Sequence, residues 1–171
     1  FFDLKGRPYP YDVIYEHVVD NRVTRIGDTY YILTPVVSEQ FKFGGPVTVL
    51  GKTTDFEDYE LLDIINQPKN RGASLFPEKI NRKYYKIDRP GAGTGGYGTM
   101  WLSSSPDLLH WGSFRPLFAP SSRYVWASSK VGPTPPIKTD EGWLVIYHGV
   151  RRPADGAHYF IGALLLDLEK P

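Results

Sequence analysis

Short clusters of apolar and aromatic residues, parted by turn formers, run the length of the chain. No long stretch keeps the 3.6-residue spacing of an amphipathic helix. Val23 to Thr34 predicts two strands around a turn at Gly27-Asp28, the second strand carrying Tyr30, Tyr31, Ile32 and Leu33. The same shape returns at Lys79 to Ile87, with a turn at Asn81-Arg82 before Tyr84-Tyr85. It returns again at Ile137 to Tyr147, with a turn at Asp140-Glu141-Gly142 before Trp143. A second mark follows each of the first two hairpins: Thr53-Thr54-Asp55 leads to Tyr59, and Ser104-Ser105-Pro106-Asp107 leads to Trp111. Aspartate and aromatic are four apart in both, and a third unit stops near Asp167.

Units of ~40 to 50 residues, each with about four strands, are the sequence form of propeller blades. A sandwich also has many short strands, but it has no reason to repeat turn, aromatic pair and Ser-Asp-aromatic mark in one order. The expectation is an all-β chain in which residues 1–171 form a single, partial β-propeller domain of about three blades. Three units do not close the usual ring of four to eight blades. The chain is therefore expected to be part of a longer propeller, or to need a partner such as a second copy across its open edges.

Composition agrees and narrows the field. Fifteen prolines, seventeen glycines and 15% aromatic residues suit many short strands and tight turns, and 41% hydrophobic with 23% charged residues is globular. No apolar run approaches the ~20 residues of a membrane helix. Twenty basic against nineteen acidic residues leave a charge of +1, so no field of one sign draws nucleic acid or an anionic membrane. The absence of cysteine excludes disulfides, thiolate metal sites and cysteine nucleophiles, and fits the cytoplasm and a secreted protein alike; cytoplasm is the expectation. The opening Phe1-Phe2-Asp3-Leu4 has neither methionine nor leader and reads as an internal start.

Several separated motifs carry a resemblance. Asn70-Arg71-Gly72-Ala73-Ser74-Leu75-Phe76-Pro77-Glu78-Lys79-Ile80, followed by Asp88-Arg89-Pro90, resembles the central signature of glycoside hydrolase family 130, the β-mannoside phosphorylases and related mannosidases. Trp101-Leu102-Ser103, Ser105-Pro106-Asp107-Leu108 and His110-Trp111-Gly112 are similar to the segment that follows it there. So are Lys130-Val131-Gly132, the run from Pro135 to Trp143, Tyr147-His148-Gly149-Val150, and Gly162 to Leu168. The likeness covers nearly the whole chain in order, and it implies a five-bladed propeller of which this chain covers about three blades.

By that resemblance Asp20, in His17-Val18-Val19-Asp20-Asn21-Arg22, is the general acid, although Val19 and Asn21 stand where the family has Glu and Pro. A turn-capping aspartate is the plainer reading of Asp20 on residue type alone. The resemblance also places Arg71, Arg89, Lys138 and His148 where the family keeps its phosphate-binding groups. Arginine suits that task because its planar fork meets two phosphate oxygens at once. Taken singly, each has a duller reading as a solvated charge or a satisfied histidine. Arg22, Glu78, Tyr124 and Trp126 are candidates for the sugar, Glu78 also reading as an ion-pair partner and the two aromatics as platforms in a polar loop. Trp101 and Trp111 read as core.

Gly93, Gly95 and Gly98 match a GxGxxG spacing but precede a strand at Met100 and follow no βα unit, so they read as a loop. His17, His110, His148 and His158 show no ligand spacing, so no metal is expected. The Arg151-Arg152 pair reads as loop charge. The expected activity is inverting phosphorolysis of β-mannoside oligosaccharides to α-mannose 1-phosphate and a shortened sugar, with inorganic phosphate as co-substrate and no cofactor. A phosphate-independent β-mannosidase and a non-catalytic glycan-binding partial propeller are the alternatives.

Overall fold

The computed structural model of the protein describes residues 17–18, 20–37, 45–91 and 98–171. Phe1 to Leu4, Val19, Gly93 and Gly95 lie outside the described residues. Within them the chain is all-β, without a helix, and builds three antiparallel sheets in chain order.

In the first sheet β1 (His17–Val18) and β2 (Arg22–Ile26) pair one after the other along the same edge of β3 (Thr29–Val37). The other edge of β3 pairs with β4 (Val47–Thr53), and β4 pairs with β5 (Glu60–Ile64). The second sheet runs β6 (Ser74–Leu75), β7 (Tyr84–Asp88), β8 (Met100–Ser105), β9 (Gly112–Phe118). In the third, β10 (Lys130–Pro133) and β11 (Ile137–Lys138) share one edge of β12 (Trp143–Arg151), and β13 (His158–Leu166) takes the other.

The three predicted hairpins are present, with turns where Gly and Asn tolerate a left-handed backbone. Gly27 has φ 62°, as the first central position of a tight hairpin turn demands, and Asn81 and Arg82 have φ 49° and 66°. The Ser-Asp mark also acquires a physical cause. Asp55 Oδ1 accepts the backbone N–H of Glu57 and Asp58, and Asp107 Oδ1 accepts those of Leu109 and His110. Asp167 Oδ1 accepts those of Glu169 and Lys170 in the third sheet. Each aspartate ties down the turn leaving its sheet's third strand.

One irregularity recurs in the first strand of every sheet. Between the pairs Val18–Val36 and Arg22–Leu33, between Asn70–Pro90 and Ser74–Ile87, and between Pro133–Tyr147 and Ile137–Leu144, the first strand carries three residues against two on its neighbour. Such one-residue bulges bend a strand and re-aim its side chains. The first strands also lie against one another. Thr24 Oγ1 donates to the Leu75 carbonyl at 3.4 Å, and Ser74 Oγ and Arg22 Nε both reach the Pro133 carbonyl at 3.5 Å.

Apolar cores fill the spaces between the sheets. Leu33 and Leu50 pack with Ala73, Leu75 and Leu108 between the first and second. Phe76, Ile87, Met100 and Leu102 pack with Val131, Trp143, Val145 and Tyr147 between the second and third. A buried ion pair joins the first junction: Lys86 is paired with Asp88 and donates to Asn66 Oδ1 at 2.7 Å.

Candidate anion and acid site

The bulges bring the chemistry together. Asp20 lies in the first bulge at φ 59°, a left-handed conformation that aspartate adopts more readily than most residues. Arg71 lies in the second. Its Nε donates to Asp20 Oδ2 at 2.7 Å and its terminal Nη2 donates to the same oxygen. Arg22, just past the first bulge, donates through Nη1 to the Asp20 carbonyl at 2.9 Å. Partial burial pushes the Asp20 carboxyl up, but the Arg71 hydrogen bond and the charges of Arg71, Arg22 and Arg89 prevail and hold it below the usual carboxylate value.

Arg89 leaves the end of β7 and is 5% exposed. Its Nη1 donates to the Val131 carbonyl at 3.2 Å and meets His148 Nε2 at 3.2 Å, while its Nε has no partner. Among the described residues no carboxylate forms an ion pair with it. Burial first, then the charge of Arg71, pull its pKa below the ordinary arginine value. His148, on β12, is pulled down to about 4 by burial and by the charges of Arg89, Lys130 and Arg22. Gly132 is what lets the two meet. A Cβ there would stand 2.3 Å from His148 Cε1 and 2.7 Å from Arg89 Nη1.

Lys130 completes the group, and sequence reasoning passed it over. It opens β10, its charge reaches His148, and its ammonium lies 5.1 Å from the ring centre of Tyr159. The signal was present in Lys130-Val131-Gly132, whose glycine turns out to touch both partners. Lys138 lies elsewhere. It stands opposite Trp143, five residues along β12 from His148, a separation of roughly 16 Å at the ~3.3 Å rise of a strand. There its Nζ pairs with Glu78 Oε1 at 2.6 Å, so the structure joins these two candidates to each other and not to Asp20.

Tyr124 and Trp126 form a tilted pair, ring centres 5.4 Å apart, in the loop between β9 and β10. Trp126 Nε1 donates to the Tyr147 hydroxyl at 3.0 Å, and its carbonyl lies over Gly149. Tyr147 and Gly149 point to the face of β12 opposite His148, so the pair sits across the sheet from the cluster. Trp111 packs at the first junction, as a core residue should. Among the described residues no group of three or more His, Cys, Asp or Glu is placed to hold a metal, and no helix is long and apolar enough to cross a membrane.

The arrangement is one carboxylate among three arginines and a lysine, with a neutral imidazole beside them. These groups converge from three different sheets of an all-β frame. The profile of glycoside hydrolase family 130, described as β-1,4-mannooligosaccharide phosphorylase, matches residues 10–170, and the chain belongs to that family. It is 39% identical over 99% of its length to a β-1,2-mannobiose phosphorylase of Listeria innocua, covering 47% of that protein. It is 39% identical over 74% of its length to a β-1,4-mannooligosaccharide phosphorylase of Ruminococcus albus, covering 38% of that one. The solved structure of the Listeria innocua enzyme in complex with β-1,2-mannobiose superposes with a TM-score of 0.80 and 42% identity, over 90% of this chain and 42% of that one. The chain thus spans about half the length, or less, of the relatives it matches.

Proposed function

We propose that the protein cleaves β-mannosides by inverting phosphorolysis, and that its three sheets are successive blades of a five-bladed propeller whose first strands line the central channel. The observation that carries the first reading is Arg89. A buried guanidinium with an unpartnered Nε, beside Arg71, Lys130 and His148, is costly unless an anion completes it. Phosphate supplies that charge and the oxygens. Water would need a carboxylate base instead, and Asp20 is the sole carboxylate in the cluster among the described residues.

In this reading Arg71, Arg89 and Lys130 grip phosphate. The neutral His148, whose Nε2 accepts from Arg89, keeps its proton on Nδ1. One phosphate oxygen attacks the anomeric carbon from the face opposite the leaving sugar, and Asp20 supplies the proton that the leaving oxygen takes. A single displacement inverts the centre, giving α-mannose 1-phosphate and a sugar one unit shorter. No cofactor enters. The charged product does not diffuse across a bilayer, which favours a cytoplasmic enzyme. Proton NMR of the first-formed sugar phosphate, made by the protein expressed from its full reading frame on β-linked mannobiose, tests the reading. The α anomer is expected, and a β anomer overturns it.

A further inference from the structure

Asp20 poses a problem for any mechanism that asks it to give up a proton. The residue that must be protonated is clamped by Arg71, whose Nε and Nη2 both donate to the single oxygen Oδ2. Arg22 and Arg89 add positive charge from the first and second sheets. A carboxyl so placed stays ionised and has nothing to donate. Arg71 is also more exposed than Arg89, its side chain 39% accessible, so space lies open beside its guanidinium. Arg89 is buried and held by Val131 and His148.

We propose that Arg71 is shared between two anions: it holds the Asp20 carboxylate in the free protein and is drawn to phosphate when phosphate binds, so that only the phosphate-loaded site has a protonated acid. The inference rests on the phosphorolytic reading above. Phosphate brings two negative charges and removes the Arg71 hydrogen bonds, and both changes favour the neutral carboxyl. Asp20 then takes a proton from solvent or from dihydrogen phosphate. In the displacement the glycosidic C–O bond breaks as the C–O bond to phosphate forms. The electron pair stays on the leaving oxygen, which takes the Asp20 proton, and the carboxylate returns to Arg71. Overall the elements of dihydrogen phosphate add across the glycosidic bond. Without phosphate the acid stays ionised, which suppresses hydrolysis.

Linkage makes the proposal testable without turnover, because two anions competing for one guanidinium must weaken each other equally. Sulfate is the probe, since it is a dianion throughout the range of interest. Its affinity is measured by calorimetry on the protein from its full reading frame, between about pH 5 and pH 8. Asp20→Asn removes the competing charge and suits the left-handed backbone at φ 59°; Asp20→Gly serves if the first variant does not fold. Asp20→Asn is expected to bind sulfate at least about a hundredfold tighter than wild type near neutral pH, because the same coupling must lift a carboxyl held below its ordinary value of ~3.9 far enough to keep a proton in the loaded site. Wild-type affinity should rise as pH falls, and the variant should keep only the pH dependence due to His148. In an Arg71→Ala background the gain from Asp20→Asn should shrink, since simple repulsion would leave it whole. Equal sulfate affinity in wild type and Asp20→Asn, or an undiminished gain without Arg71, overturns the sharing. Sulfate binding to neither protein overturns the phosphate site itself.

Discussion

Nη1 of Arg89 meets Nε2 of His148 at 3.2 Å, and since a guanidinium has no lone pair to offer, the imidazole nitrogen must accept there. The ring is therefore neutral when the pair is formed. This agrees with a pKa drawn down to about 4 by burial and by Arg89, Lys130 and Arg22.

A pH effect on stability follows. The unfolded chain keeps the imidazole proton up to about 6.5, whereas the folded protein releases it above about 4. Between these values the unfolded state binds more protons, so stability falls as pH is lowered through that window. After allowance for solvent screening the contribution is on the order of 1 kcal/mol. Denaturant unfolding at a series of pH values should show His148→Gln with a flatter slope than wild type between about pH 6.5 and 4.

Gly132 should tolerate no side chain. A methyl group at 2.3 Å from His148 Cε1 forces the ring or Arg89 aside. Gly132→Ala is expected to cost about 1–3 kcal/mol in thermal unfolding, as overpacking does. It should also raise the KM for phosphate, an effect that a purely local strain would not have.

The two lysines should separate cleanly. Lys130→Ala removes a cation from the anion cluster and should weaken phosphate by at least about tenfold, the scale of one charge-assisted contact. Lys138→Ala breaks a half-exposed pair with Glu78, and such pairs contribute about 0–1 kcal/mol. Its phosphate KM should stay near that of wild type in steady-state assays.

Much of this fold was legible because its hairpins obey local rules. The turns at Gly27-Asp28, Asn81-Arg82 and Asp140-Glu141-Gly142 lie where short-range chemistry puts them. The Asp55 and Asp107 marks repeat because each satisfies backbone donors after a third strand. The partnership of Asp20, Arg71, Arg89 and His148 was accessible only through family resemblance, since 51 residues separate Asp20 from Arg71 and no local pattern joins them. Lys130 was missed for a related reason. Lys130 and Lys138 stand opposite Val150 and Trp143, far apart along β12, and the bulge at Thr134 to Pro136 puts them on opposite faces as well. Asp88, within a motif that reads as site chemistry, faces the other way and neutralises the buried Lys86.

Proton donation by Asp20 has its own signature. Asp20→Asn should lower kcat by 10²- to 10⁴-fold on a poor leaving group, the range for general acid catalysis. The loss should be much smaller on a mannoside whose leaving group is already a stable anion. Steady-state rates on both substrates decide it, since a structural aspartate would slow both alike.

The central claim is that phosphate, and not water, is the nucleophile at the cluster of Arg71, Arg89, Lys130 and His148. The direct measurement is product formation from a β-linked mannobiose by the protein expressed from its full reading frame, with and without inorganic phosphate. Mannose 1-phosphate and one equivalent of free mannose should accumulate together in proportion to phosphate until the site saturates, with almost no free mannose in phosphate-free buffer. Cleavage at the same rate without phosphate, releasing only free sugars, would contradict the account.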